Sequence, residues 1–220
     1  MIVPAVFDVS VKLEMINIKK WSDDNKLCLN LDKTTEIIFR RSRKLCITPP
    51  TLCDVERVSS AELLGIYFTD KMSMSEHIQH TVSVCNQRLY LLCQLKRQNL
   101  PVECLDRIFD AIVIDKFMYA LPSWFGYISV EQLNIIMKLF LKAHSWGFTK
   151  NLYNADELFA VRDQQLFKAM GHFNHCLHHL LPPVKKVCYK LRTPYELIVH
   201  KLKQTRCSYL VRMVFENVPV

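Results

Sequence analysis

The sequence has little glycine, no long apolar run and none of the short motifs that mark several common enzyme classes. Only 4 of its 220 residues are Gly, while half are hydrophobic and 23% are charged. This composition predicts a folded, helix-rich protein rather than a disordered one. No apolar run approaches the roughly 18 residues that a membrane-spanning helix needs. The absence of Gly-x-Ser-x-Gly, of a Gly-rich phosphate loop and of His-Glu-x-x-His leaves no support for the enzymes those motifs mark.

The cysteines lack the pairing expected of a disulfide framework. There are nine, an odd number, and no Cys-x-x-Cys pair occurs. Because Cys85 and Cys93 fall at apolar helical positions, we predict reduced and mostly buried thiols in an intracellular protein, cytoplasmic or nuclear. The first residues, Met-Ile-Val-Pro-Ala-Val-Phe, include no basic leader and are a poor signal peptide.

Positive charge is unevenly distributed along the chain. The net charge is +8, and residues 180–220 carry +6 of it, with eight Lys and Arg against two Glu. A second basic cluster follows Phe39. This pattern favours a polyanionic partner, with nucleic acid ahead of an anionic membrane surface. A solvated basic surface without a partner is the alternative.

The N-terminal part shows strand patterns after a short helix that ends near Trp21. Alternation predicts strands over 27–31 and 35–39 with a tight connection between them. A third β segment over 63–68 contains Gly65, which indicates a bulge or a close approach of another backbone.

From residue 73 onward the periodicity is helical. Ser73-Met-Ser-Glu76 and Ser129-Val-Glu-Gln132 each read as a capping box at a helix start. The apolar residues predicted to face inward on the first helix, which should stop before Pro101, are Ile78, Val82, Cys85, Leu89 and Leu92. Those on the next helix, over 101–119, are Leu105, Ile108, Phe109 and Ile112, and the helix after Ser129 carries Leu133, Ile136, Met137, Phe140 and Leu141. We predict further helices over 155–180 and near 194–204, and hence a mostly α fold with a small N-terminal β piece (α+β).

A histidine-rich stretch in the predicted 155–180 helix raises the question of a metal site. His172, His175 and His179 would share one helix face, with Cys188 beyond a turn. Structural zinc sites usually combine two separated ligand pairs, and no Cys pair of suitable spacing exists here. We therefore predict no metal and no cofactor.

One ordered series of residues resembles a known family. Trp21, Asn30-Leu-Asp-Lys33-Thr34, Leu64-Gly65 and His77-Ile78 follow each other as in the reverse transcriptases of non-LTR (LINE-type) retrotransposons. The resemblance continues through Tyr119, Trp124 and His178-His-Leu-Leu-Pro182. It implies a truncated polymerase palm edge over 1–70 with short antiparallel strands, a helical thumb-like domain over 71–148, and a C-terminal helical and basic region over 149–220.

The resemblance also implies that the chain is not an enzyme. The family's metal-binding aspartates lie upstream of the matching residues, so we expect this chain to lack them. Trp21-Ser-Asp23-Asp24 imitates an aspartate pair, but its position predicts a helix exit rather than a turn between strands. In the family the lysine matching Lys33 lies near the incoming nucleotide; the alternative is an exposed turn lysine.

The resemblance and the charge together predict backbone-directed contacts with RNA or DNA. Tyr119, Trp124 and Phe125 are expected to pack, with base stacking as the alternative. A solvated helix face is the alternative for the thumb cations. The predicted nucleic-acid-binding residues are Lys33, Arg40, Arg41, Arg43, Lys44, Arg88, Lys96, Arg97, Lys185 and Lys186.

Residues from about 76 to 120 also resemble a short helical segment named after the N-terminus of AlkB homologue 8, a tRNA-modifying protein. That resemblance brings no dioxygenase or methyltransferase site with it. The predicted function is a catalytically incomplete reverse-transcriptase fragment of a non-LTR retrotransposon that binds nucleic-acid backbones weakly. The alternative is a helical protein-interaction module whose apolar faces contact other chains; neither function involves a membrane.

Overall fold

The computed structural model describes residues 11–39, 55–183, 195–196 and 203–216. Of these residues 64% are helical and 8% lie in strands, which confirms the mostly α fold with a small β piece. The chain divides into two compact units, Met1–Met72 and Ser73–Val220. Each unit is described by itself below.

The first unit combines one helix with two short strand pairs. Helix α1 spans Val11–Asp24, and a 3-10 turn spans Leu31–Lys33. Strand β1, Thr35–Glu36, pairs in parallel with β2, Glu56–Arg57. Strands β3, Ser60–Leu63, and β4, Ile66–Thr69, form an antiparallel hairpin. The parallel pair is reinforced by an ion pair of 2.8 Å between Arg57 Nε and Glu36 Oε2.

The strand predicted over 27–31 is wrong, because Asn30 starts a turn instead. Its side-chain oxygen accepts a hydrogen bond from the Lys33 backbone N–H at 3.2 Å, and its carbonyl accepts one from the Thr34 hydroxyl at 2.7 Å. An asparagine side chain that bonds nearby backbone in this way competes with a sheet ladder. The alternating apolar residues around it are therefore not part of a strand.

The single β segment predicted over 63–68 is also wrong, because the chain reverses at Leu64-Gly65. Both residues have positive φ, 51° and 79°. A two-residue hairpin turn of type I′ requires positive φ at both central positions. Gly65 therefore serves a hairpin turn and not the bulge that the sequence suggested.

The elements that the structure describes in the second unit are helical. Its helices of eight or more residues are α2 (Ser75–Arg97), α3 (Val102–Phe109), α6 (Val130–Ser145), α7 (Ala155–Met170) and α9 (Tyr209–Glu216). Its shorter helices are α4 (Asp115–Met118), α5 (Leu121–Trp124) and α8 (Lys203–Cys207). A π-helical stretch spans Asp110–Ile114, and 3-10 turns span Phe125–Tyr127 and His178–Leu180.

The two capping boxes have different outcomes. At Ser129 the box is present, since Ser129 Oγ accepts from the Gln132 N–H while the Gln132 side chain accepts from the Ser129 N–H. Near Ser73 the helix start differs from the prediction, because α2 begins at Ser75 with Met74 as its cap residue, and Ser73 Oγ accepts from the Ser75 N–H at 3.3 Å.

Four of the five residues predicted to face inward on α2 are buried, and the helix ends before Pro101 as predicted. These four are Ile78, Cys85, Leu89 and Leu92, whereas Val82 is half-buried. Spacing alone placed this face because α2 is a regular α-helix over its whole length.

The inward face predicted over 101–119 is only partly correct. Leu105 and Phe109 are buried, but Ile108 and Ile112 are half-buried, and the next buried residues are Val113, Ile114 and Phe117. The π-helical stretch adds a residue to one turn, which rotates every later side chain relative to an α-helical template. A uniform 3.6-residue period therefore misplaces the second half of this element.

Helix α7 ends ten residues earlier than the sequence predicts. After Met170, the Gly171 and His172 N–H groups bond three residues back, to Lys168 and Ala169, which closes the helix. Phe173, predicted on the inner face, is 81% exposed. His172, His175 and His179 therefore do not share a helix face.

The C-terminal helix α9 packs on α7 through a buried ion pair. Arg212 Nη1 lies 2.5 Å from Oδ2 of Asp163, which is fully buried, and the Tyr209 hydroxyl donates to the Asp163 carbonyl at 2.8 Å. Burial raises the pKa of Asp163, and the Arg212 charge opposes that rise. Arg212, one of the cations of the predicted basic tail, thus holds two helices together. The predicted helix near 194–204 lies mostly outside the described residues.

The thiol prediction is partly correct. Cys28, Cys85, Cys93, Cys104, Cys176 and Cys207 are all free, but among these described cysteines only Cys85 is buried. Burial raises the pKa of the Cys85 thiol to about 11. Among the described helices, none has the length and apolar character to cross a membrane.

Candidate nucleic-acid interface

Helices α2 and α6 lie side by side and run in the same direction. Three contacts define the pairing: Gln132 Nε2 to Ser75 Oγ at 2.9 Å, Lys142 Nζ to Asn86 Oδ1 at 3.4 Å, and Lys96 Nζ to the Trp146 carbonyl at 2.5 Å. Residue numbers rise together along both helices, so the helices are parallel and their C-terminal halves adjoin.

These adjoining halves carry cations and no acidic side chain. Helix α2 has no Asp or Glu after Glu76, and α6 has none after Glu131. The positive residues of the two helices are Arg88, Lys96, Arg97, Lys138 and Lys142. Going onward from α2, the next acids are Glu103 and Asp106 on α3. Glu103 is paired with Lys150 at 2.6 Å, and that bond lowers the pKa of Glu103.

Lys96, a predicted site residue, closes the contact between the two helix ends. Its ammonium donates to the carbonyl of Trp146, the residue that caps α6. A cation at this position offsets the negative end of the helix dipole and satisfies a free terminal carbonyl. Lys96 therefore has a structural role as well as an exposed position.

Arg97, Lys138 and Lys142 are exposed around this junction. Lys142 precedes Trp146 by one turn, and its Nζ lies 4.5 Å from the centre of the indole ring. Within the described part of the chain, Arg97 and Lys138 make neither a hydrogen bond nor an ion pair. We call Lys96, Arg97, Lys138 and Lys142 the α2–α6 basic surface.

Arg88, also predicted to contact phosphates, lies on another side of α2. Its guanidinium donates to the backbone carbonyl of Ile112 in the π-helical stretch. Irregular helical turns leave carbonyls without a regular partner, and an arginine fork can satisfy them. Arg88 is half-buried and is not part of the basic surface.

The remaining predicted residues lie apart from this surface or outside the described ranges. Lys33 is exposed at the end of the 3-10 turn in the first unit, as the turn-lysine interpretation expects. The residues that lie outside the described ranges are Arg40, Arg41, Arg43, Lys44, Lys185 and Lys186.

Sequence reasoning missed Lys138 and Lys142. The missing acids between Glu131 and Asp156 were a usable signal, because a solvated helix normally mixes both signs. The pairing of α6 with α2 is what makes the signal meaningful, and that pairing is a tertiary fact.

The aromatic residues after the second predicted thumb helix divide between core and surface. Trp124 is fully buried and its indole N–H donates to the Tyr119 carbonyl at 3.1 Å, so it packs as expected. Phe125 is half-buried and meets the Phe159 ring at 5.3 Å, whereas Tyr119 is 51% exposed. The ring of His77 meets Trp124 edge-on at 5.2 Å. Burial, aided by the charges of Lys116 and His80, lowers the pKa of His77 to about 4.

Asp23 and Asp24 are the last residues of α1 and both are exposed, which agrees with the predicted helix exit. Among the described residues, no group of three or more His, Cys, Asp or Glu side chains is placed to hold a metal ion.

The chain matches no protein-family model, and no curated protein or solved structure is significantly similar to it. The resemblance to non-LTR reverse transcriptases therefore stays a prediction.

Proposed function

We propose that the chain binds the phosphate backbone of RNA or DNA through the α2–α6 basic surface. The observation that carries the proposal is the parallel pairing of two helices whose joined C-terminal halves present cations without a single acid. Phosphate contacts need reachable cations, and the two adjoining helix halves carry exposed cations with no acid of their own.

The proposal fits a catalytically incomplete reverse-transcriptase fragment of the non-LTR type. It assigns no catalytic step, because Asp23 and Asp24 occupy the end of a helix rather than a metal-binding turn. The predicted clusters at Arg40–Lys44 and at Lys185 and Lys186 would add backbone contacts. An RNA or DNA ligand would be met in the cytoplasm or the nucleus. The free thiols of the described cysteines are also typical of intracellular proteins, so both features support an intracellular site of action.

The test compares two triple substitutions with the same change of charge. Arg97→Gln, Lys138→Gln and Lys142→Gln neutralise the basic surface. Arg107→Gln, Arg162→Gln and Lys168→Gln neutralise exposed cations elsewhere in the same unit. Binding of each protein to labelled single-stranded RNA is measured across about 50 to 200 mM salt.

We expect the first triple to lose at least about tenfold in affinity at low salt and the control to change little. The slope of log K against log salt is negative, and each lost contact with a single strand reduces its magnitude by about 0.7, so the magnitude should fall by about 2. Equal losses in both triples, or an unchanged slope, would contradict the proposal.

A second candidate is a protein-interaction module based on the first unit. There the exposed apolar residues include Ile16, Trp21, Leu63 and Leu64, with 81% of Leu64 exposed. Contiguous exposed apolar surface is typical of protein contacts. Self-association that persists at high salt, measured by sedimentation, would favour this function over nucleic-acid binding.

A further inference from the structure

Two exposed aromatic residues belong to the same two helix ends as the cations of the α2–α6 basic surface. Trp146 caps α6 and is 42% exposed, while Tyr90 on α2 is 64% exposed. Tyr90 follows Asn86 by one turn, and Trp146 follows Lys142 by one turn. Since Asn86 and Lys142 are in contact and the helices are parallel, Tyr90 and Trp146 both lie one turn beyond that contact, toward the C-terminal ends of the two helices.

The backbone under Trp146 is held in place. Its N–H donates to the Lys142 carbonyl at 3.0 Å, and its own carbonyl accepts from Lys96. Gly147, which follows, has φ +68°, and a Cβ there would lie 2.8 Å from Lys96 Nζ. A side chain at this position would therefore disturb the junction. The indole also meets the buried Phe148 ring at 5.7 Å, nearly perpendicular.

Trp146 differs from the buried Trp124 in the hydrogen bonding of its indole N–H. The Trp124 indole N–H has a backbone acceptor, whereas within the described residues the Trp146 indole N–H has none. Instead the Lys142 ammonium covers part of the Trp146 ring. A large exposed ring on a fixed backbone, beside several cations, offers a stacking surface next to phosphate-binding groups.

We propose that Trp146 and Tyr90 stack on unpaired bases, so that the ligand of the basic surface is a single strand rather than a duplex. This inference rests on the proposed function. In a duplex the base faces are already stacked, whereas a single strand can place them on aromatic side chains. On binding, the Lys142 ammonium leaves the indole ring and the Asn86 oxygen and contacts a phosphate.

The experiment separates stacking from charge by removing the bases and keeping the phosphates. The full chain is titrated with a labelled oligothymidylate of about 12 nucleotides and with an abasic strand of the same length, at low salt. Stacking is worth at least about fivefold per base, so the base-bearing strand should bind at least that much more tightly than the abasic strand. A duplex of equal length should also bind more weakly than the single strand.

Variants assign that preference to the two rings. Trp146→Leu and Tyr90→Leu should each reduce the preference for the base-bearing strand while leaving abasic binding unchanged, and Trp146→Phe should restore part of it. Trp21→Leu, which removes an exposed Trp in the first unit, is the matched control. In a Trp21→Phe background, whose emitters are Trp146 and the buried Trp124, oligothymidylate should quench the fluorescence and the abasic strand should not.

The outcomes keep the two proposals apart. Equal binding of both strands, with loss in the lysine and arginine triple, overturns stacking and leaves backbone binding intact. No binding of either strand at low salt overturns both. A preference for bases that survives Trp146→Leu and Tyr90→Leu places the stacking residues elsewhere and overturns this inference.

Discussion

The two units of the chain bury their apolar side chains to very different extents. Among the described residues, the first unit buries only Val55 and Ile66, while every other buried apolar side chain belongs to the second. Fully buried rings such as Trp124, Phe117 and Phe140 lie in the second unit, whereas Trp21 is 60% exposed in the first. Burial of apolar area is the main favourable term in folding, so stability should reside in the second unit.

This comparison also separates the two candidate functions. The basic surface belongs to the well-packed unit, where two helices fix the backbone positions of its residues. The exposed apolar residues that would support protein contacts belong to the other unit. Substitutions can therefore test each function without disturbing the other.

The largest expected effect comes from truncating one ring in each unit. Phe140 is 1% exposed and meets the Phe117 ring edge-on at 5.5 Å, so Phe140→Ala should cost about 3–5 kcal/mol of unfolding free energy. Trp21→Ala should stay within about 0.5 kcal/mol, because an exposed side chain loses little on truncation. Urea unfolding followed by far-ultraviolet circular dichroism measures both, and similar losses would contradict the comparison.

The second prediction concerns the loss of stability at acidic pH. Among the described residues, the buried groups that titrate in acid, His77 and Asp163, both lie in the second unit. His77 has a lowered folded pKa of about 4, so it must be neutral in the fold but is protonated in the unfolded chain below about 6.5. The free energy of unfolding therefore does not depend on His77 ionisation above that pH. As the pH falls from about 6.5 to 4, protonation of His77 in the unfolded chain lowers the free energy of unfolding by about 3 kcal/mol in total.

His77→Phe removes this titration and keeps a ring against Trp124. The variant should show a flatter dependence of unfolding free energy on pH between about 7 and 4. His80→Gln, at an exposed position one turn away, is the control and should keep most of the slope. The raised pKa of Asp163 acts in the opposite direction, since it favours folding as pH falls, and it is common to all three proteins.

The sequence predicted regular elements well and irregular ones poorly. The apolar face of α2 and the Ser129–Gln132 capping box follow from local spacing, and both are present. Local spacing did not predict three other features: the π-helical stretch, the early end of α7 and the reversal at Leu64-Gly65. The π-helical stretch breaks the helical period by one residue, and the other two irregularities end an element inside a segment whose hydrophobic pattern predicts that it continues.

The candidate site shows the same limit at the tertiary level. Lys96 and Arg97 stood out as cations near a helix end, but Lys138 and Lys142 join them only because α6 pairs with α2. Arg88 was predicted together with them and Arg212 was one of the cations of the basic tail, but these two are engaged by the Ile112 carbonyl and by Asp163. Charge in a sequence thus identifies a set of cations, and packing decides which remain available to a ligand.

The smallest expected effect is a gain in the stability of the first unit. Leu64 has a φ of 51° in the hairpin turn, which is unfavourable for leucine. Because 81% of the residue is exposed, burial of its side chain does not offset this strain. Leu64→Asn creates the Asn-Gly pair that type I′ turns favour, and asparagine tolerates positive φ. We expect about 0.5–1 kcal/mol of added stability in the hairpin, seen as slower amide hydrogen exchange in β3 and β4.

The matched control is Leu63→Asn, next to the turn but within β3, where φ is negative and asparagine is a poor strand residue. Both changes remove one exposed leucine, so any gain in solubility should be shared, whereas slower exchange should appear only in Leu64→Asn. Slower exchange in both proteins would mean that removing apolar surface matters and turn geometry does not. Faster exchange in Leu64→Asn would mean that the Leu64 side chain contributes more to the first unit than its exposure suggests.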